Sequence, residues 1–271
     1  MPYFDGDGGR VHYRTWVTRS ESEATIVFLH GFGEHSGLYG RLANALTARR
    51  IDLWALDQIG HGLSDGQRGV TGPVDALVTN ARLLTELAQT RGSGAPLFLA
   101  GHSLGGVAAA VAAAREASPW SGVVLSGTPV EPPAWVDRML SGDDDGLALE
   151  PTDLSSDPWY LDALANDPLA FTESPGSPLD ALAAGWMELA ERLSAVQLPV
   201  LFVHGSDDQV APVQMARDGA SRLADASLAE FAGARHDVLN EQAHDAVAAT
   251  IADWILAHVP ASASIVGHDG N

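Results

Sequence analysis

The 271-residue chain contains no cysteine and no lysine. Without thiols it can form neither disulfides nor thiolate metal sites, and sulfur says nothing about its redox compartment. All 15 basic residues are arginines, set against 35 acids, and the formal charge is −20. Such a field repels nucleic-acid phosphates and anionic lipid surfaces, so a nucleic-acid partner is not expected and the acids read as a solvated surface. Long apolar runs are also missing. The longest Ala/Val-rich stretch, Val107 to Ala114, falls well short of the roughly 20 residues that a spanning helix needs. The opening MPYFDGDGGR lacks a basic segment followed by an apolar one, which argues against a signal peptide. The expectation from these absences is a soluble, cytoplasmic protein.

What is present is a large apolar fraction, 46% of residues, enough for the core of one sizeable α/β domain. Strand-length apolar runs recur at 11–17, 25–30, 51–57, 96–102, 122–128, 199–205 and 227–233. Several are almost continuously apolar, as strands covered on both faces should be. Helical patterns lie between them at about 40–50, 74–91, 104–116, 212–224 and 240–258. The alternation predicts a mostly parallel central sheet with helices on both faces. From 130 to 195 the alternation breaks, with prolines too frequent for one long helix. The organisation expected is therefore a core of residues 1–129 and 196–259, a small cap inserted at 130–195 over the carboxyl edge of the sheet, and a flexible tail at 260–271.

Two glycine-rich motifs carry chemistry. In GHSLGG, residues 101–106, an apolar strand hands over to an Ala-rich helix, and the Gly-x-Ser-x-Gly spacing puts Ser103 on a tight turn where larger neighbours would collide with backbone. The serine then stands at a helix N-terminus, whose N–H groups favour developing negative charge. In LHGFGEHSG, residues 29–37, the backbone can aim the Phe32 N–H at the same edge, to pair with the Leu104 N–H as an oxyanion hole. Glu34 and His35 are candidates to brace this loop or to contact substrate. A serine needs a base, and of the ten histidines His236, in GARHDVLNE between the last strand and the last helix, is the one expected at that edge. The third member should be a carboxylate following a strand between these two residues. The stretch HGSDDQV offers Asp207 and Asp208, and spacing alone does not choose between them.

Taken together, FLHGFGEHSGLYGRLANAL, LDQIGHGLSDG, GHSLGG, HGSDDQVAP and ARHDVLNE resemble the monoacylglycerol lipase branch of the α/β-hydrolase superfamily, which includes lysophospholipase-like and serine aminopeptidase-like hydrolases. The resemblance runs from about Thr25 to His258 outside the insertion. It implies the α/β-hydrolase fold and a Ser103, Asp208, His236 triad, with Asp208 filling the aspartate of Gly-x-x-Asp. It also implies Phe32 and Leu104 as oxyanion donors, and cleavage of small-molecule acyl esters of the monoacylglycerol or lysolipid type through an acyl-enzyme. No metal or other cofactor is expected, and membrane contact would be at most transient, through the cap. Trp135, Met139, Leu140, Trp159, Tyr160, Leu161 and Trp186 are the cap residues expected to supply an acyl pocket. Rival readings are a short-chain or aromatic carboxylesterase, an acyltransferase on the same triad, and a noncatalytic ligand-binding relative.

Overall fold

The computed structural model describes residues 1–141, 150–172, 174 and 176–260, with the side chains of all but Met139 and Leu140. A ribbon opens the chain: β1 (Tyr3–Gly6) turns through Asp7 and Gly8 into β2 (Gly9–Trp16), with Gly8 and Gly9 at φ +95° and +139°, where a side chain would be strained. The parallel strands follow: β3 (Ala24–Leu29), β4 (Ile51–Leu56), β5 (Leu97–His102), β6 (Trp120–Ser126), β7 (Val200–Gly205) and β8 (Ala226–Phe231). The sheet order is β1-β2-β4-β3-β5-β6-β7-β8, antiparallel at the two pairings made by β2 and parallel elsewhere. The sequence pattern did not anticipate β1, because four residues are too few to show a period of two.

Helices α1 (Gly40–Ala48), α2 (Val74–Arg91) and α3 (Leu104–Arg115) alternate with the first strands, and α8 (Val213–Ser221) and α9 (His244–Ala257) with the last. Alternate side chains of each strand feed two separate cores. Val27 and Leu29 of β3 pack with α2 and α3, whereas Ile26 and Phe28 pack with α1 and α9. All four are at most 2% exposed, which is why β3 reads as an unbroken apolar run instead of an alternating one. The expected α/β-hydrolase architecture is thus present, and among the described residues no helix is long and apolar enough to cross a membrane.

The stretch 130–195 holds α4 (Ala134–Ser141), α5 (Pro151–Leu154), α6 (Pro158–Asn166) and α7 (Leu179–Arg192). Proline opens α5 and α6 at a first-turn position, where its missing N–H costs nothing. The first three helices meet loops at the carboxyl ends of the strands: Trp135 donates to the Val210 carbonyl at 2.8 Å, and the Asp237 N–H donates to the Leu154 carbonyl at 2.7 Å. The longest of the four, α7, lies elsewhere. It docks on α3, where Gly185 faces Val107 so closely that a Cβ would come within 2.5 Å of the valine, and Trp186 is buried with its Nε1 donating to the Pro129 carbonyl. A glycine on one helix and an alanine-rich partner allow this close approach. The end of the insertion therefore packs as part of the body. The predicted tail beyond Pro260 lies outside the described residues.

Candidate active site

The turn between β5 and α3 places Ser103 at φ +49° and ψ −117°, a conformation that a side-chain-bearing residue holds only when its surroundings over-determine it. The surroundings do so. A Cβ on Gly101 would sit 2.2 Å from the Gly105 carbonyl oxygen, and one on Gly105 would sit 2.2 Å from that of Leu29. The Ser103 N–H is tied to the Ser126 carbonyl at 2.9 Å. Sheet and helix thus close on a turn in which positions 101 and 105 have no room for a side chain, and the Ser103 hydroxyl reaches the His236 ring.

His236, in the loop after β8, brings Nε2 to 2.9 Å from Ser103 Oγ and Nδ1 to 2.9 Å from Asp208 Oδ2. Asp208 also accepts the N–H groups of Val210 and Ala211 at 2.9 and 2.8 Å. Its other neighbour is a second imidazole, absent from the sequence-based candidates: His204 Nε2 stands 3.1 Å from Oδ2 and 2.6 Å from the Ala211 carbonyl. Burial opposes ionisation of Asp208, but the charge of His236 and the hydrogen bonds from His204 and His236 outweigh it and hold the carboxyl well below the usual carboxylate range. Asp207 faces outward, where its carboxylate accepts the Ser206 hydroxyl at 2.7 Å. His204 sits on a strand and contacts an acid four residues on, a relation that only the turn after β7 creates.

The two expected oxyanion donors lie at the start of α3 (Leu104) and in the loop after β3 (Phe32). These segments are in direct contact, since Gly105 packs on the carbonyls of Leu29 and His30. The loop is held by bonds at each step: His30 Nδ1 to the Gly31 carbonyl at 2.7 Å, the Gln58 N–H to His30 Nε2 at 2.9 Å, and the Gly31 N–H to Glu34 Oε2 at 2.8 Å. Burial first, then the neighbouring His61, lowers the His30 pKa to about 3, so the ring stays neutral as a brace.

Of the residues expected to contact substrate, Glu34 and His35 are buried and spent on the protein. Glu34 accepts hydrogen bonds from the Tyr39 hydroxyl at 2.6 Å, from the Tyr160 hydroxyl of α6 and from Gly31. His35 bridges Asp167 through Nε2 at 3.0 Å and the Gly37 N–H through Nδ1 at 3.1 Å. Both act as braces between loop and cap. Trp135 packs against the loop that carries Asp208, while Trp159 is half exposed, with the Arg41 guanidinium 4.3 Å above its ring. Tyr160 and Trp186 are buried contacts within the fold. The side chains of Met139 and Leu140 lie outside the described residues.

A different wall stands at the site. Phe171, just after the cap helices, donates its N–H to the Gly33 carbonyl at 2.8 Å, and its ring meets those of Phe32 and His61 at 5.5 and 5.1 Å. The Arg68 guanidinium lies over the Phe171 ring, 4.9 Å from its centroid. No sequence signal marked Phe171, since a lone aromatic in a proline-rich stretch has no period to reveal its partner. Among the described residues, Glu34, His102 and Asp237 bring potential metal-ligand atoms within 4.8 Å of one another, but the oxygens of Glu34 are already engaged by three donors.

The arrangement can carry a proton from a serine hydroxyl to an imidazole held by a carboxylate, with main-chain donors close by. Comparison with known proteins agrees with that chemistry. Residues 20–243 match the family model described as serine aminopeptidase, S33. The monoacylglycerol lipase of Mycolicibacterium smegmatis is 30% identical, over 94% of this chain and 96% of that one. The monoacylglycerol lipase structure from Paleococcus ferrophilus aligns with a TM-score of 0.75 and 25% identity, covering 92% of this chain and 99% of that one. The monoglyceride lipase of Saccharomyces cerevisiae shares the fold at a TM-score of 0.79, with 22% identity and 96% coverage of each chain. From motif to fold to family model the observations agree, and the chain belongs to the serine aminopeptidase S33 family of α/β-hydrolases.

Proposed function

We propose that the protein is a serine esterase that cleaves monoacylglycerols or lysolipid-type esters through an acyl-enzyme. The observation that carries this reading is the unbroken relay from Ser103 through His236 to Asp208 on a strained turn at the sheet edge. Ser103 attacks the ester carbonyl as His236 Nε2 takes its proton, while Asp208 holds Nδ1–H and stabilises the imidazolium. The N–H groups of Phe32 and Leu104 receive the oxyanion, and each such donor is worth on the order of 10²–10³ in rate. His236 then protonates the departing glycerol-type alcohol, and water repeats the cycle to release the acid. With a formal charge of −20, a neutral ester suits the protein better than a polyanion, and membrane contact would be confined to passing encounters through the cap.

One observation favours a second reading on the same relay. The Phe32, His61 and Phe171 rings pack together beside the expected oxyanion donor Phe32, an aromatic surface that suits short or aromatic acyl groups. A fluorophosphonate probe should label the wild type and not Ser103→Ala; an unlabelled wild type would sink the esterase reading. Turnover of monoacylglycerols against p-nitrophenyl acetate and aryl esters then separates the two substrate classes. Acetate cleavage without monoacylglycerol turnover would leave only the second.

A further inference from the structure

Behind the relay lies an acid with an oxygen that nothing satisfies. Asp237, directly after His236, is fully buried. Its Oδ2 accepts from Asn240 Nδ2 at 2.8 Å, and its Oδ1 has no hydrogen-bond partner. Close beside it is the buried carboxylate of Glu34. The groups facing this pair are the hydroxyls of Tyr39 and Tyr160, the Gly31 N–H, Asn240 and His102, and none of them is a cation. His102 Nδ1 lies 3.1 Å from the Ser126 carbonyl, which can only accept, so Nδ1 carries the ring hydrogen and Nε2 has none to give to a carboxylate. Burial keeps that ring neutral, with its pKa lowered to about 4. The Arg41 guanidinium, which donates to the Asn240 carbonyl at 3.1 Å, is paired with Asp157 at 3.1 Å.

Two buried carboxylates without a cation cannot both be ionised cheaply, and an orphaned buried oxygen needs a donor. One proton answers both needs. We propose that Glu34 and Asp237 hold a single proton between them, carried by Glu34 and donated to the unpartnered oxygen of Asp237, and that this acid pair is a positioning element for the reaction. It joins three parts that must stay in register. Glu34 holds the Gly31 N–H and hence the residue before the Phe32 donor; Asp237, next to His236, is itself held by Asn240; Tyr160 on α6 and Leu154 on α5 tie both to the cap. Losing the proton sets two like charges against each other across those loops. Burial, and then the charge of Asp237, push the Glu34 carboxyl well above the usual carboxylate range, in keeping with this arrangement.

The sign of the pH effect follows. The folded protein keeps a proton that the unfolded chain releases near the ordinary glutamate value, so the pair's contribution is complete below that value and is lost as pH rises through the folded one. The test is urea unfolding of wild type and Asp237→Asn from about pH 5 to about pH 9, with kcat/KM measured over the same range. The asparagine amide supplies the missing donor without a titrating proton. The unfolding constant of the wild type should therefore rise relative to that of the variant by up to about tenfold per pH unit, and the alkaline limb of kcat/KM should move between the two. Should Asp237→Asn fold poorly, Glu34→Gln places the amide on the other partner and is read in the same way.

Parallel pH profiles would overturn the proposal, as would a stoichiometric divalent ion in the purified protein by elemental analysis. The kinetic arm rests on the roles given above to Ser103 and His236, while the unfolding arm does not. Loss of fluorophosphonate labelling and loss of the proton signature are therefore separate failures.

Discussion

Asp57 and Asp208 are both buried, both lie just beyond the carboxyl end of a parallel strand, and both hydrogen-bond the Nδ1 of a histidine, at 3.0 Å to His12 and 2.9 Å to His236. Burial favours the neutral form of each, yet each is held well below the usual carboxylate range. At Asp57 the opposing forces are led by the His12 hydrogen bond and the nearby His30, followed by the Ser36 hydroxyl and the Leu63 N–H. The difference lies at the far side of the ring. His12 packs edge-on against Tyr3, with centroids 5.2 Å apart, whereas His236 reaches a serine hydroxyl on a strained turn. Asp57 instead gathers the body around itself, accepting from the Ser36 and Leu63 N–H groups at 2.8 and 2.9 Å and from Arg14 at 3.2 Å. An aspartate–histidine pair is therefore not chemistry in itself; what the second ring nitrogen meets decides its role.

Substitution should separate the two pairs. Asp208→Asn is expected to lower kcat by roughly 10⁴-fold by favouring the wrong tautomer of His236, and kcat per folded molecule, measured by active-site titration, is the readout that isolates this loss from any change in stability. A loss below about tenfold would remove Asp208 from the relay. Asp57→Asn should spare the chemistry and act on stability alone. Breaking a buried, multiply bonded charge costs roughly 3–5 kcal/mol of stability, while kcat per folded molecule, measured by active-site titration, should stay within about tenfold.

The same variant sharpens the acid limb. Because Asp57 is depressed in the folded state, its contribution is present above the ordinary aspartate value of about 4 and is lost as pH falls below it, so stability in Asp57→Asn should depend less on pH in that range. The neutral buried rings of His30, His61 and His102, lowered to about 3, 4 and 4, should already weaken the fold as pH falls below the ordinary histidine value of about 6.5. That slope should persist in the variant.

Smaller effects test the surroundings of the relay. His204→Gln removes the second imidazole on Asp208 and should lower kcat/KM by about tenfold, the scale of one charge-assisted hydrogen bond, with an altered pH profile. An unchanged profile would make His204 a packing residue. Asp207→Asn, at the outward carboxylate, should change both activity and stability by less than about twofold and ~0.5 kcal/mol.

The alternation of strand and helix was legible because burial on both faces leaves continuous apolar runs such as Ile26–Leu29, and the serine turn was legible because its glycines are required by contacts within a few residues. Asp207 and Asp208 were indistinguishable by spacing. The turn after β7 separates them, sending one carboxylate to solvent and the other to His236. Local pattern also placed a single cap over 130–195 and could not show that α7 returns to the body, since its partner α3 lies some seventy residues earlier.

By itself the sequence determined the layered α/β body, the serine turn and the set of acids and histidines that could serve it, because propensity, periodicity and steric need act over short stretches of chain. Only the tertiary structure decided which partners meet: His204 on Asp208, Phe171 on Phe32, and Glu34 against Asp237. Each joins loops held together by packing, and the energy of such a contact depends on burial and on the absence of competing donors, neither of which is written in the spacing of residues along the chain.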